Sequence, residues 1–374
     1  MAGLPYAKPS EIGLDAARLE EASALLRKWT DDERSIPGAS IVVSRHGKMV
    51  EPQFFGRQGP EAGAEPIRRD GMFLLASITK PVVYLSAMKL VERGLLNLSD
   101  PVMRYIPDFA ANHKEDTLVI HLFTHTSGMP DMLPDNAELR KQKAPLSRFI
   151  KGAINAMPLF PAGTGLSYQS MGTLTVAEIV QRISGQTIHD FVRDEVLKPL
   201  GMDSTGLGSK GFDRRRLVRV EIPEYQIGSD FGWNSTYWQQ LGVPWGGMFS
   251  APEDFAVLCQ TMLNGGITES GQLLSPASVE AMTTNRLADL PDVPEGDRRS
   301  KPWGLGWRLN QPGTKGSWGD LLGRRTFGHT GATGTMCWMD PERDGFCLLF
   351  TSAIRSRAPW RLVHLSNIVA SAFR

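Results

Sequence analysis

MFLLASITKPVVYLSAMKLVERG, residues 72–94, opens apolar, turns polar at Ser77-Ile78-Thr79-Lys80-Pro81, and then resumes as Tyr84, Ala87, Met88 and Val91, one face of a helix. A helix beginning near Ser77 places Ser77 and Lys80 one turn apart on the same side. Pro81 then falls in the first turn, where its missing N–H costs no hydrogen bond. A serine hydroxyl is a poor nucleophile until a base takes its proton, and a lysine serves as that base only when burial or a neighbouring cation lowers its pKa. A helix N-terminus also favours developing negative charge. The same four residues would equally suit an N-cap serine beside a surface lysine, so the pattern alone does not decide.

Upstream, SEIGLDAARLEEASALLRKWTDD carries Leu19, Ala22, Leu25 and Leu26 at helical spacing, and GASIVVSRHGKMVEPQFFG gives two apolar runs around an HGK turn, a hairpin. Downstream to about residue 203 the pattern is helices and loops stopped by Pro or Gly. In TLTVAEIVQRISG, Val176, Ile179, Val180 and Ile183 form a stripe and Gly185 stands as a C-terminal cap. A polar, Trp-rich stretch, a helix at APEDFAVLCQTMLNGG and a long loop through LPDVPEGDRRSKP follow. TMCWMDPERDGFCLLFTS then reads as two strands around a turn, before a helical tail. Strands at both ends with helices between them predict an α/β (α+β) architecture: a central antiparallel sheet flanked by terminal helices. The expected division is 1–72 with 204–374 as the sheet domain and 73–203 as a helical domain, with the site in the cleft between them.

Across 374 residues, 41 Lys and Arg against 40 Asp and Glu leave a net charge of +1, so no bulk field favours nucleic acid or an acidic membrane. Cys259, Cys337 and Cys347 lack the pairing of a disulfide framework or a zinc site and read as buried thiols. No signal peptide is visible and no run is long enough to span a bilayer, which predicts a cytoplasmic protein.

Two further elements join SITK. PAGTGLSYQSMG puts Tyr168 in a Gly-rich loop entering a helix, with Ser170 two residues on. FGHTGATGTMCWMD puts His329, Thr330 and Gly331 just before a β-rich run. In this order, with LFTHTSGMP and GGMFSAPEDFA between them, they resemble the serine β-lactamase and penicillin-binding-protein superfamily. The resemblance is greatest to the class C β-lactamase-like branch that includes the family VIII carboxylesterases, and it covers nearly the whole chain. It implies a Ser77 acyl-enzyme, proton traffic shared by Lys80 and Tyr168, and an oxyanion hole made by the backbone N–H groups of Ser77 and Ala332. Substrate-binding positions would be Ser170, His329, Thr330 and Gly331. No cofactor and no metal are implied. The partner would be a small-molecule ester or amide, and a homo-oligomer is compatible with the sequence.

Two departures bear on substrate. The second motif usually ends in Asn, here Ser170, whose hydroxyl reaches less far. The third usually begins with Lys, here His329, which is mostly neutral at pH 7 at its unperturbed pKa. Both weaken recognition of a β-lactam or a D-Ala-D-Ala terminus. They favour a carboxylesterase on small acyl esters over a β-lactamase, a peptidase or an acyl transferase, with a non-catalytic binding protein of this fold last.

Other constellations carry less. His121 and His125 have an i, i+4 spacing but no intervening glutamate and no third ligand, so His125 is expected to order the THTSG turn instead. No G-x-S-x-G elbow occurs. GTKGSWG, residues 313–319, resembles a permuted Lys-Thr-Gly but lacks the following β run and reads as a loop. Trp233, Trp238 and Trp245, with Tyr225 and Tyr237, are candidates to line the acyl or alcohol pocket.

Overall fold

The computed structural model of the chain describes residues 3–310 and 318–374. Its central sheet has seven strands: β1 (Gly38–Arg45), β2 (Lys48–Met49), β3 (Gln53–Gly56), β4 (Arg308–Leu309), β5 (Phe327–Thr330), β6 (Met336–Asp340) and β7 (Gly345–Thr351). The order is β2-β1-β7-β6-β5-β4, with β3 also on β1, and every pairing is antiparallel. The N- and C-terminal segments therefore meet at the β1–β7 ladder, where Ala39 faces Thr351 and Arg45 faces Gly345.

The hairpin forms around His46-Gly47, both at positive φ (53° and 73°), as a two-residue loop of the twist-matching kind requires. Its return strand is interrupted. Ser44 faces Met49 but Ile41 faces Gln53, so three steps along β1 are matched by four along its partner, and the extra residue falls near Pro52.

Five longer helices organise the rest: α1 (Ala16–Arg27), α2 (Thr79–Glu92), α3 (Ser170–Ser184), α4 (Pro252–Leu263) and α5 (Trp360–Ser371). Alternate strand residues divide between two cores. Ile41, Val43, Trp338 and Leu349 pack with Leu19, Leu26, Leu365 and Val369 of α1 and α5. Val42, Cys337, Leu348 and Phe350 face the opposite side, with α2 and α4. Burial on both faces explains why β7 reads as a continuous apolar run. Each such side chain contributes roughly 1.5–3 kcal/mol on burial.

Asp15 caps α1 through the amides of Ala17 and Arg18, and Gly185 ends α3 at φ 71°. Helix α2 differs from the expected one-sided helix: every residue from Thr79 to Met88 is buried, and Val91 is only partly so. The cause is its packing against α3 and the helical turns Ile188–Val192 and Arg193–Leu197, with the core around it, which leaves no solvent face for Lys80. The expected loop at 290–302 contains a short helix, Glu295–Ser300, supported by Arg299–Glu295 and Lys301–Asp297 pairs. Of GTKGSWG, residues 313–317 lie outside the described residues. Cys259, Cys337 and Cys347 are buried free thiols, and among the described residues no helix is long and apolar enough to cross a membrane.

Candidate active site

Leu75 and Ile78, both fully buried, hold a single 3-10 turn, Ala76–Ile78, at the entrance to α2. Ala76 takes φ 48°, a left-handed conformation that costs a non-glycine residue about 1 kcal/mol or more. The turn leaves Ser77 half-buried on the cleft wall. Lys80, 1% exposed, donates to Ser77 Oγ at 3.2 Å and to the carbonyl of Trp245 at 2.8 Å. Burial pushes its amine down to about 7, against the pull of the Asp131 carboxylate, which favours the charged form.

Tyr168 lies with its ring centroid 4.7 Å from Lys80 Nζ. Burial raises its phenol pKa, offset in part by the Ser77 hydroxyl it faces, and its oxygen makes no hydrogen bond of regular geometry. The residue between the motif positions, Gln169, fixes this loop. Its amide nitrogen donates to the carbonyls of His121 (3.0 Å) and Leu122 (3.2 Å), and its backbone N–H donates to His125 Nδ1 at 3.3 Å. His125, at φ 62°, also accepts from Ser167 N–H through its carbonyl (3.0 Å) and packs its ring 4.7 Å from that of Tyr168. It therefore ties the THTSG turn to the Tyr168 loop, while His121 Nδ1 accepts from Leu118 N–H at 3.2 Å. Ser170 is buried, and both its N–H (3.0 Å) and its hydroxyl (2.6 Å) donate to Asp131 Oδ1. Its one proton is thus engaged, leaving oxygen lone pairs for a ligand.

The third motif begins inside a strand rather than before one: His329 and Thr330 end β5, paired with Cys337 and Met336. His329 Nδ1 donates to the carbonyl of Thr330 at 2.8 Å, which leaves Nε2 as an unpartnered acceptor. Burial, then the nearby Lys80, depresses the imidazole to about 3, so His329 is neutral. Gly331 sits where a Cβ would meet Thr335 Oγ1 at 2.1 Å and the Leu75 carbonyl at 2.4 Å. Thr333 and Thr335 donate to the carbonyls of Leu74 (2.8 Å) and Leu75 (2.9 Å) and so bind the strand end to the turn that carries Ser77. The N–H of Ala332 enters no hydrogen bond among the described residues, and that of Ser77 opens a helical turn with no acceptor behind it. Both residues line one cavity of about 790 Å³.

That cavity gathers Ser77, Tyr168, Ser170, Trp245 and residues 329–332, together with Tyr225, Trp233 and Trp238. Tyr237 stands apart, its hydroxyl donating to the Ala144 carbonyl at 2.8 Å. Trp245 lends its carbonyl to Lys80 and also lines the cavity, its ring 6.3 Å from that of Trp238. The cavity also holds groups that motif spacing did not point to. Arg355 donates to Thr330 Oγ1 at 3.1 Å, and Arg308, its pKa lowered by burial and then by Arg355, lies close by. With Arg140 and Lys301 also on the wall, Asp131 is the only carboxylate among the described lining residues. Positive charge near residue 329 thus comes from β4 and the segment after β7. Among the described residues no cluster of His, Cys, Asp or Glu is suited to a metal ion.

A serine at a helix entrance, a buried amine near neutrality beside it and two unengaged amides are thus gathered in one cleft of a β-lactamase-like fold. The Beta-lactamase family profile matches residues 17–371, and the chain belongs to that family; it is a serine hydrolase. A protein of Escherichia coli O157:H7, provisionally named a D-alanyl-D-alanine carboxypeptidase, is 27% identical over 376 residues, covering 90% of this chain and 83% of its own length. Esterase EstB of Burkholderia gladioli is 34% identical over 218 residues, 54% of this chain and 55% of its own. The crystal structure of a penicillin-binding protein homologue from Caulobacter crescentus superposes with a TM-score of 0.76 at 21% identity, over 96% of this chain and 99% of that one.

Proposed function

We propose that this hydrolase is a carboxylesterase acting on small acyl esters through a Ser77 acyl-enzyme, in the cleft between residues 73–203 and the remainder. The observation that carries the mechanism is Lys80, whose amine, held near 7, stands 3.2 Å from Ser77 Oγ. Neutral Lys80 takes the Ser77 proton as Oγ bonds to the ester carbonyl carbon, and the oxyanion is held by the N–H groups of Ser77 and Ala332. As the tetrahedral adduct collapses, the C–O bond to the alcohol breaks and the proton passes to the departing oxygen through the Tyr168 phenol. Tyr168, with its pKa raised, stays protonated at neutral pH, which supports Lys80 rather than a phenolate as the base. Water then attacks the acyl carbonyl carbon and loses its proton to Lys80; as the bond from that carbon to Ser77 Oγ breaks, Lys80 returns the proton to Oγ and the acid is released.

Two features support an ester over a β-lactam: neutral His329, and Ser170 with its proton engaged by Asp131. A D-Ala-D-Ala-type carboxypeptidase is the second reading, favoured by Arg308 and Arg355 beside Thr330, where a peptide carboxylate would be neutralised. The test is intact-protein mass and turnover with p-nitrophenyl butyrate, nitrocefin and a D-Ala-D-Ala peptide, for wild type and Ser77→Ala. Ester turnover that is lost in Ser77→Ala and exceeds peptide and nitrocefin cleavage is the expected result. Faster Ser77-dependent release of D-alanine would replace the esterase reading with the peptidase one.

A further inference from the structure

Away from the Thr330 edge, the cleft ends in a wall built from helix Asn136–Lys141 and the aromatic segment 225–245. Arg140 on that helix is only 4% exposed. Its guanidinium lies 3.9 Å over the Trp238 ring, and Nε (3.3 Å) and Nη2 (2.9 Å) both donate to the carbonyl of Phe231. The Tyr225 hydroxyl also faces the guanidinium, and both residues line the cavity. Among the described residues no carboxylate pairs with this buried cation: Asp230, next to Phe231, pairs with Lys143, and Asp131 takes both donors of Ser170. One turn back on the same helix face, Asn136 also lines the cavity, and its buried side-chain oxygen has no partner. An Asn amide presents either its oxygen or its NH2 to such a space, because the two ends exchange by a flip.

A buried guanidinium is costly without an anion, and its planar fork matches a carboxylate. An amide NH2 one helical turn away supplies a further donor to the same group. We propose that the substrate of this hydrolase carries a carboxylate remote from the scissile ester, seated on Arg140 and Asn136 at the aromatic end of the cleft. Trp238 and Trp245 flank the chain that joins the two. This inference rests on the Ser77 cleft being the site of reaction, and it leaves the carboxylate on either the acyl or the alcohol part.

Two ester pairs separate those sources. Mono-p-nitrophenyl glutarate against p-nitrophenyl valerate places the charge on the acyl chain, and 4-carboxyphenyl valerate against phenyl valerate places it on the alcohol. The readout is the anionic-to-neutral ratio of kcat/KM in wild type, Arg140→Met, Arg140→Lys and Asn136→Ala. We expect one pair to favour the anion, with that ratio falling about 10- to 100-fold in Arg140→Met, less in Asn136→Ala, and partly kept in Arg140→Lys. Should Arg140→Met not fold, Asn136→Ala and Arg140→Lys still report the ratio. Calorimetric binding of the same esters to Ser77→Ala needs no turnover, so it reads the subsite even if the esterase reading fails. Equal affinity and equal turnover for charged and neutral members of both pairs would overturn the proposal. So would a preference that survives in the Arg140 and Asn136 variants but vanishes in Arg355→Gln.

Discussion

Acidification is expected to silence Ser77 by charging one amine. Lys80 is held at about 7, the neighbouring His329 at about 3, and the Tyr168 phenol is raised above its ordinary value, so of these three only Lys80 changes charge between pH 5 and 9. If neutral Lys80 is the base, kcat/KM climbs tenfold per pH unit below a midpoint near 7 and is flat above it. At pH 6 about one-tenth of the plateau remains, and at pH 5 about one-hundredth. A solvated lysine would be neutral in roughly one molecule in 3,000 at pH 7, so burial raises the population of competent base about a thousandfold. Removing the Asp131 charge deletes the interaction that favours the ammonium. Asp131→Asn should therefore move the midpoint to lower pH, while Lys80→Arg, permanently charged, should lose about 10³ or more in kcat at every pH. The assay is p-nitrophenyl butyrate hydrolysis from pH 5 to 9, corrected for spontaneous hydrolysis. A profile without an acid limb, a limb that persists in Lys80→Met, or an upward shift in Asp131→Asn would refute the assignment.

Gly331→Ala places a methyl 2.4 Å from the Leu75 carbonyl. It should displace the Ala332 amide and lower kcat by about 100-fold or more at unchanged far-UV dichroism; kcat within threefold of wild type would remove Ala332 from the oxyanion site. Thr335→Val deletes the hydroxyl bond to the Leu75 carbonyl, and a loss of about 1 kcal/mol in denaturant stability, with kcat falling more than KM rises, is expected. Asp254, accepting from Ser204 N–H and Thr205, is pushed up to about 6 by burial. Its folded form holds the proton more tightly than the unfolded chain, so its contribution to stability is full below about pH 4 and is lost as pH rises through 6. Thermal melts of Asp254→Asn should show a shallower decline across that window than wild type, and parallel curves would exclude the effect.

The parts of the site legible in the sequence are those whose geometry is local. Ser77 and Lys80 are three residues apart on a helix, and Tyr168 and Ser170 flank a helix start, so spacing alone brings them together. The strands at the two ends were readable from their apolar runs, although the return strand's break at Pro52 was not expected. Lys80's burial was not legible, because a one-sided apolar stripe and an all-round buried helix share Tyr84, Ala87 and Met88. Nor were Thr333 and Thr335, whose partners lie about 260 residues earlier. Asp131, Arg308 and Arg355 converge only because the loop after the THTSG turn, β4 and the segment after β7 meet at one cavity, and periodicity carries no signal for such meetings.

The expected weakness of carboxylate recognition rests on residue 329. Treating residue 329 as the sole carrier of charge made its change from Lys to His a loss, yet the wall around Thr330 holds two guanidiniums. Moving the charge off the strand has a physical consequence for the chemistry. A lysine at 329 would stand against buried Lys80, and the two ammonium groups would each disfavour the other's charged form. Neutral His329 spares Lys80 that pressure, while Arg355, on the cleft's outer side and exposed, keeps an anion-attracting field where solvent still screens it. If Lys80 is the base, its pKa and the positive charge around Thr330 are thereby set by different elements. A substitution at Arg355 should then leave the acid-limb midpoint of Lys80 nearly in place, whereas His329→Lys should move it.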